Sequence, residues 1–152
     1  MIIRTADVEK DEAQLLFMAR DFISRMDNTE YLPDDDVFEK YAKMLVASDT
    51  VEIVVAEERG VVVAGLGIAL SPFLWNPEML QGEELFWWAA PDAPRTAAIR
   101  VFKETINRIK RSPFRGRTIA CFKRLTSSPK SVASLYERMG LREVETNYVG
   151  VF

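Results

Sequence analysis

The sequence predicts a single α+β domain built on a largely central β-sheet. Three observations carry that class. Strand-type and helix-type patterning succeed one another along the whole chain, two β-branched runs meet at an Arg59-Gly60 joint, and no repeat, linker or domain boundary divides it. At 152 residues the chain has the size of one domain and enough mass to bury a core, so residues 1–152 are read as one unit.

Ile2 to Ala6 reads as a short strand. Asp7 is placed to cap the helix that follows, and Glu9, Asp11 and Glu12 suit the positive end of its dipole. Leu15, Ala19, Phe22/Ile23 and Met26 keep a helical stripe that carries this helix to about Asp27. Asn28 to Asp36 is polar and contains a proline, hence loop, and Val37, Tyr41 and Met44/Leu45 mark a second, shorter helix. Its acidic run Asp34-Asp35-Asp36 invites a metal reading, but three acids at a helix start suit a cap and dipole device better. Val51 to Glu58 and Val61 to Ser71 are strands joined by a tight hairpin at Arg59-Gly60. Gly65 and Gly67 inside the second strand point to a bulge or to close approach of another backbone. Pro72 to Gly82 reads as a loop. Its Phe73, Leu74, Trp75, Met79 and Leu80 either tuck beneath it as a satellite core or form a substrate wall or subunit contact.

Glu83 to Arg111 is the stretch around which the rest is organised. A strand, Leu85 to Ala89, breaks at Pro91-Asp92-Ala93-Pro94 and restarts as a helix with Ala98, Phe102, Thr105 and Ile109 on one face. The amides of that first helical turn lack partners in the helix and carry the positive end of its dipole, which makes a site for phosphate. Ser112-Pro113 ends the helix, Phe114-Arg115-Gly116 turns the chain, and Arg117 to Phe122 is a buried-type strand. Leu125 to Lys130 is a Ser-rich loop, Ser131 to Met139 a short helix stopped at Gly140, and Asn147 to Phe152 a last strand.

Composition narrows the chemistry. There is no histidine, which removes the usual general base and makes zinc and triad readings poor. The single Cys121 cannot form an internal disulfide and fits a reducing, cytoplasmic compartment. No run approaches the ~18 apolar residues of a membrane span, and the N-terminus lacks a signal-peptide apolar region. The net charge of −3 conceals an asymmetry: residues 1–94 carry 7 Lys/Arg against 19 Asp/Glu, whereas residues 95–130 carry 11 against the single acid Glu104. That basic segment is either a solvated face beside the acidic half of its own fold or a surface for phosphates, nucleic acid or an acidic protein.

The order of elements and the tail Leu135-Tyr136-Glu137-Arg138-Met139-Gly140-Leu141 resemble the GNAT superfamily of N-acetyltransferases, whose last block is a helix bearing Leu-Tyr-Glu, then Gly-Phe, then a final strand. Asn76-Pro77 followed by Glu84-Leu85-Phe86-Trp87-Trp88 and Pro91 looks especially like phage-encoded members. The resemblance covers nearly the whole chain. It implies a mixed sheet flanked by about four helices in the order β-α-α-β-β-β-α-β-α-β(-β), acetyl-CoA as co-substrate, no metal, and a primary amine of a small molecule, protein or nucleobase as acceptor.

The resemblance also implies site residues. Acetyl-CoA would lie beside the strand at Trp88, Ala89 and Ala90, where a backbone N–H polarises the thioester carbonyl. Its pyrophosphate would sit over Arg95, Thr96, Ala97, Ala98, Ile99 and Arg100. Glu84 stands where many members hold the carboxylate that takes the amine proton, with Glu83 as a rival on the opposite strand face. Tyr136 stands at the general-acid position, and a phenol of pKa ~10 can protonate a thiolate. The chain departs from the family's Arg/Gln-x-x-Gly-x-Gly/Ala loop at Ala98 and Arg100, and Pro129 stands where an Asn is frequent. Arg100 either obstructs the loop or pairs with a phosphate. Two alternatives follow: a catalytically degenerate GNAT-like structural or binding module, and a nucleic-acid surface on segment 95–130. The chain would act as a monomer or homodimer, in a virion or host cytoplasm if phage-encoded.

Overall fold

The computed structural model describes residues 1–25, 34–111, 117–122 and 131–144. They form β1 (Ile2–Thr5), α1 (Val8–Ser24), α2 (Asp35–Val46), β2 (Val51–Glu58), β3 (Val61–Phe73), β4 (Asn76–Ala89), α3 (Ala97–Arg111), β5 (Thr118–Cys121) and α4 (Ser131–Arg138). This is the expected α+β order as far as the described residues reach. The expected turn Phe114–Gly116, the loop Leu125–Lys130 with Pro129, and the last strand Asn147–Phe152 lie outside them. The sheet runs β1-β2-β3-β4-β5, antiparallel from β1 to β4 and parallel between β4 and β5.

Local chemistry explains most boundaries. The Asp7 carboxylate accepts from the N–H groups of Glu9 and Lys10, each at 3.1 Å, and so starts α1. Arg59 and Gly60 have φ of 53° and 81°, the left-handed pair that turns β2 tightly into β3. Strand alternation then sends side chains to two cores. On one face Val54, Ala56, Ala64, Leu66 and Ile68 pack against Val101, Phe102, Ile106 and Leu135; on the other Ile53, Val55, Val62 and Trp88 pack against Leu15 and Met18.

Several expectations change. Pro72 to Gly82 is not a loop: β3 continues to Phe73, β4 begins at Asn76, and Ser71 pairs with Gln81. Pro72 sits beside a register irregularity, where a strand tolerates a residue without an N–H. Leu74 and Trp75 form the hairpin tip and are 79% and 82% exposed, so these two are not a satellite core. The α2 stripe of Val37, Tyr41, Met44 and Leu45 is exposed as well, and Ala42 is the buried residue. The small Ala42 lets α2 settle on its neighbours while ion pairs from Lys43 to Glu12 (3.3 Å) and Arg20 to Glu39 (3.0 Å) hold it to α1. Asp34 occupies the N-cap of α2 but makes no side-chain cap hydrogen bond. Helix α1 ends at Ser24, short of Asp27, and α3 turns Ala97, Val101, Phe102, Thr105 and Ile106 inward, a face rotated from the expected one. Strand β5 is half-buried, because it pairs with β4 along only four residues. Of the two readings of Gly65 and Gly67, the bulge holds, since the β3–β4 register shifts between Gly67 and Ile68, whereas the tight approach comes from the side chains of Met18 and Phe86, not from another backbone.

Asp11, expected only as a favourable charge near the dipole, is fully buried. The Arg4 guanidinium grips it with two bonds, of 2.6 and 2.9 Å, and reaches Glu57 at 2.6 Å, clamping β1, α1 and β2 together. Those hydrogen bonds hold the Asp11 carboxyl below its ordinary range although burial pushes the other way.

Candidate active site

Strand β4 is irregular where the chemistry is expected. Gly67 pairs with Phe86 but the next residue, Ile68, pairs with Glu84, so Leu85 is an extra residue and the strand bulges there. The bulge resets the alternation. Without it Glu84 would share the face of Phe86 and Trp88, toward α1. With it Glu84 lies opposite Ile68, on the face of Trp87, α3 and α4. Glu84 is therefore a residue inside β4, not one before it, and it is 7% exposed.

On that face the Tyr136 hydroxyl donates to Glu84 Oε2 at 3.5 Å. Tyr136 lies roughly parallel to Trp87 (ring centroids 6.1 Å apart, 30°) and packs at 5.3 Å from Phe102. Burial pushes the phenol above its ordinary value, and the neighbouring Glu84 charge raises it further. Tyr136 thus keeps its proton at neutral pH and beyond. The two candidate catalytic residues, 52 positions apart in sequence, are brought together; Glu83 is exposed and accepts from Gln81 Nε2 at 2.7 Å.

The edge of β4 explains what Trp88, Ala89 and Ala90 offer. The Ala90 N–H donates to the Val63 carbonyl at 2.9 Å, so Ala90 is committed to β3. Antiparallel alternation commits Trp88 likewise and turns the N–H and C=O of Trp87 and Ala89 to the opposite edge. Among the described residues β5 pairs with β4 only over Leu80–Glu83, so no strand meets that edge beside Ala89. The Trp88 side chain points to the α1 side, where its indole N–H donates to Asp21. Sequence reading misses Arg25, which pairs with Asp21 and donates to the Ala89 carbonyl at 3.4 Å. A contact across 64 positions leaves no local signal.

The start of α3 is equally specific. The Arg100 N–H donates to the Thr96 carbonyl (2.9 Å) and the Ala97 N–H to the Pro94 carbonyl (2.8 Å). Helix geometry therefore leaves Thr96, Ala98 and Ile99 with N–H groups that have no acceptor within the helix. Arg95, Thr96 and Ile99 are exposed, while Ala97 is buried in the core. The Ala98 carbonyl accepts from the Trp87 indole at 3.1 Å, tying this helix start to β4. Arg100 does not present its N–H, and its side chain lines a groove toward β1 with Lys103, Glu104 and Asn107.

That groove, of about 410 Å³, and a second hollow of about 230 Å³ lined by Thr5, Val8, Val46 and Val51 do not include Glu84 or Tyr136. Among the described residues no three His, Cys, Asp or Glu side chains converge to hold a metal ion, and no helix is long and apolar enough to cross a membrane.

Among the described residues, a mixed five-stranded sheet flanked by four helices, with a parallel β4–β5 seam joined through a helix, matches solved structures with the fold of the GNAT-type acetyltransferases, and this chain has that fold. No family model and no curated protein matches the sequence. Among solved structures, a transcriptional regulator from Bacillus halodurans C-125 is similar over 99% of both chains, at 19% identity and a TM-score of 0.74. The ribosomal-protein-alanine N-acetyltransferase of Brucella melitensis biovar Abortus 2308 is similar over 100% of both chains (14% identity, TM-score 0.68). A predicted acetyltransferase of Clostridium acetobutylicum, solved with acetyl-CoA, is similar over 99% of this chain and 95% of its own (18% identity, TM-score 0.67).

Proposed function

We propose that the protein is an acetyl-CoA-dependent N-acetyltransferase acting on a primary amine of a small molecule, a protein or a nucleobase. The observation that carries this reading is the contact of Tyr136 with the buried Glu84, beside an edge of β4 that keeps outward-facing N–H groups. Acetyl-CoA would supply the activated acyl group, and one solved protein of this fold contains it. The amides of Thr96, Ala98 and Ile99 would hold its pyrophosphate, helped by the α3 dipole and by Arg95. The outward N–H of Ala89 would polarise the thioester carbonyl. Glu84 takes the proton of the attacking amine, and Tyr136 delivers its own to the departing thiolate. The new C–N bond replaces the C–S bond, and proton passage between the touching Glu84 and Tyr136 restores both residues. A cytoplasmic setting, in the host if the chain is phage-encoded, suits acetyl-CoA supply and the lone Cys121.

The test begins with a thermal titration. At acetyl-CoA ~100 times its dissociation constant the chain should gain about 2.7 kcal/mol, roughly 5–10 °C for a domain of this size. An amine panel then identifies the acceptor, and Glu84→Gln should lower kcat/KM by ~10²–10⁴-fold. No shift at millimolar acetyl-CoA would overturn the proposal in favour of a degenerate module, for which the exposed Leu74–Trp75 tip is the specific support.

A further inference from the structure

The groove between β1 and α3 has features that acetyl transfer does not use. Strand β1 is the end strand of the sheet, and among the described residues no strand pairs with its outer edge. The Ala6 N–H donates to the Ile53 carbonyl (2.8 Å), so alternation commits Ile2 and Arg4 to β2 and turns Ile3 and Thr5 outward. The Thr5 carbonyl accepts from Arg4 Nη1 at 3.1 Å, which leaves the N–H and C=O of Ile3 and the N–H of Thr5 facing out. Such an edge is a template for an added strand.

The opposite wall is cationic. Arg100 and Lys103, one helical turn apart on α3, are exposed and line the groove with Asn107. Among the described residues neither has a carboxylate partner. The groove's one acid, Glu104, is already held by Arg108 (3.2 Å) and Arg111 (3.6 Å). Helix α1 and its C-cap show the contrast, since Lys10, Arg20 and Arg25 are all paired. Met1, Ile2 and Ile3 complete the groove, with Ile2 62% exposed. No aromatic ring is among the lining residues, so nucleobases would find no platform to stack on.

We infer that this groove is a second binding site, which takes an extended, acidic peptide segment as an added strand on β1. Backbone bonds at Ile3 and Thr5 set its register, its carboxylates pair with Arg100 and Lys103, and its apolar side chains cover Ile2. This accounts for Arg100, the residue that departs from the family's loop, without assigning it to acetyl-CoA.

The experiment uses fluorescence anisotropy with a labelled decapeptide of alternating Glu and Val, its Lys/Val counterpart, and a labelled ten-nucleotide oligothymidylate. The Glu/Val peptide should bind, and the other two should not. Lys103→Glu, alone and with Arg100→Ala, should weaken it at least tenfold without moving the thermal midpoint, and Lys103→Glu should leave the acetyl-CoA-induced shift unchanged. On peptide binding, the amides of Ile3 and Thr5 should gain protection from hydrogen exchange. Absence of peptide binding, unweakened binding by the double variant, or no protection at Ile3 and Thr5 would overturn the inference. Preferential capture of the oligothymidylate would make the groove a nucleic-acid surface instead. A loss of the acetyl-CoA shift in Lys103→Glu would assign it to the co-substrate.

Discussion

Gly67→Ala tests the link between packing and the aim of Glu84. A Cβ at this position would lie 2.5 Å from Cε1 of Phe86 and 3.0 Å from its Cδ1 and Cζ. Carbon atoms rest ~3.5–4.0 Å apart, so the ring must retreat by about 1 Å, and it already leans on Phe22 with centroids 6.3 Å apart. Overpacking of this kind costs about 1–3 kcal/mol, and alanine recovers about 0.5–1 kcal/mol of the strand glycine's conformational cost. A 2.5 Å contact takes the upper part of that range, about 2–3 kcal/mol, so the net loss is about 1–2.5 kcal/mol, a fall in midpoint of roughly 2–10 °C. Gly82→Ala is the control, because its nearest neighbour is the movable Leu70 Cδ2 at 3.3 Å, and its midpoint should hold. Since Gly67–Phe86 is the last pair before the bulge, Gly67→Ala should also lower acetyl transfer while acetyl-CoA binding persists. Circular-dichroism melts and a product assay read both effects. A Gly67→Ala protein as stable as the parent, or a Gly82→Ala protein equally damaged, would refute the reasoning.

Other outcomes follow from the same contacts. Arg4→Ala leaves Asp11 buried without its main partner and should cost about 3 kcal/mol in urea unfolding at neutral pH, the low end for a broken buried pair because Arg4 keeps 23% exposure. Because Arg4 depresses the Asp11 pKa, the parent's advantage is complete above the ordinary value of 3.8 and is lost as pH falls through the lower folded value; the gap between parent and variant should close in acid. Tyr136→Phe should lower kcat with little change in KM. In the parent, Tyr136 should produce no alkaline limb below pH 10, since its phenol is raised above that value. Trp88→Phe removes the indole donor to Asp21 and should destabilise by about 1 kcal/mol, as Asp21 is partly exposed, which a melt would show.

Elements with a strong local signature were legible in the sequence. Asp7 announces α1, Arg59-Gly60 announces the hairpin, and the break at Pro91–Pro94 announces α3, because caps and turns are decided by neighbouring residues. What long-range contact decides was not legible. The prolines at 72 and 77 suggest a loop, yet pairing with the opposite strand keeps both inside a hairpin. The apolar stripe of α2 suggests a core face, yet its docking buries Ala42 instead. At the candidate site, the family resemblance implied the roles of Glu84 and Tyr136, and Gly65 and Gly67 hinted at the bulge, but nothing local placed its extra residue at Leu85 or brought Tyr136 against Glu84. Arg25 and Asp11 were missed as partners for the same reason.

The sheet's topology also has a kinetic side. Strands β1 to β4 pair antiparallel, and β2, β3 and β4 follow one another through short turns, whereas β5 reaches β4 only by way of α3. Loop-closure entropy favours the local hairpins first, so the β2–β3–β4 meander should nucleate folding and the parallel seam should close last. That seam holds four residue pairs, Leu80–Glu83 against Thr118–Cys121, whereas β2 and β3 share eight. In native-state hydrogen exchange the β5 amides should therefore open at lower free energy than those of β2 and β3. For a co-substrate lying beside β4, as proposed above, such an opening would offer sideways entry that leaves the meander intact.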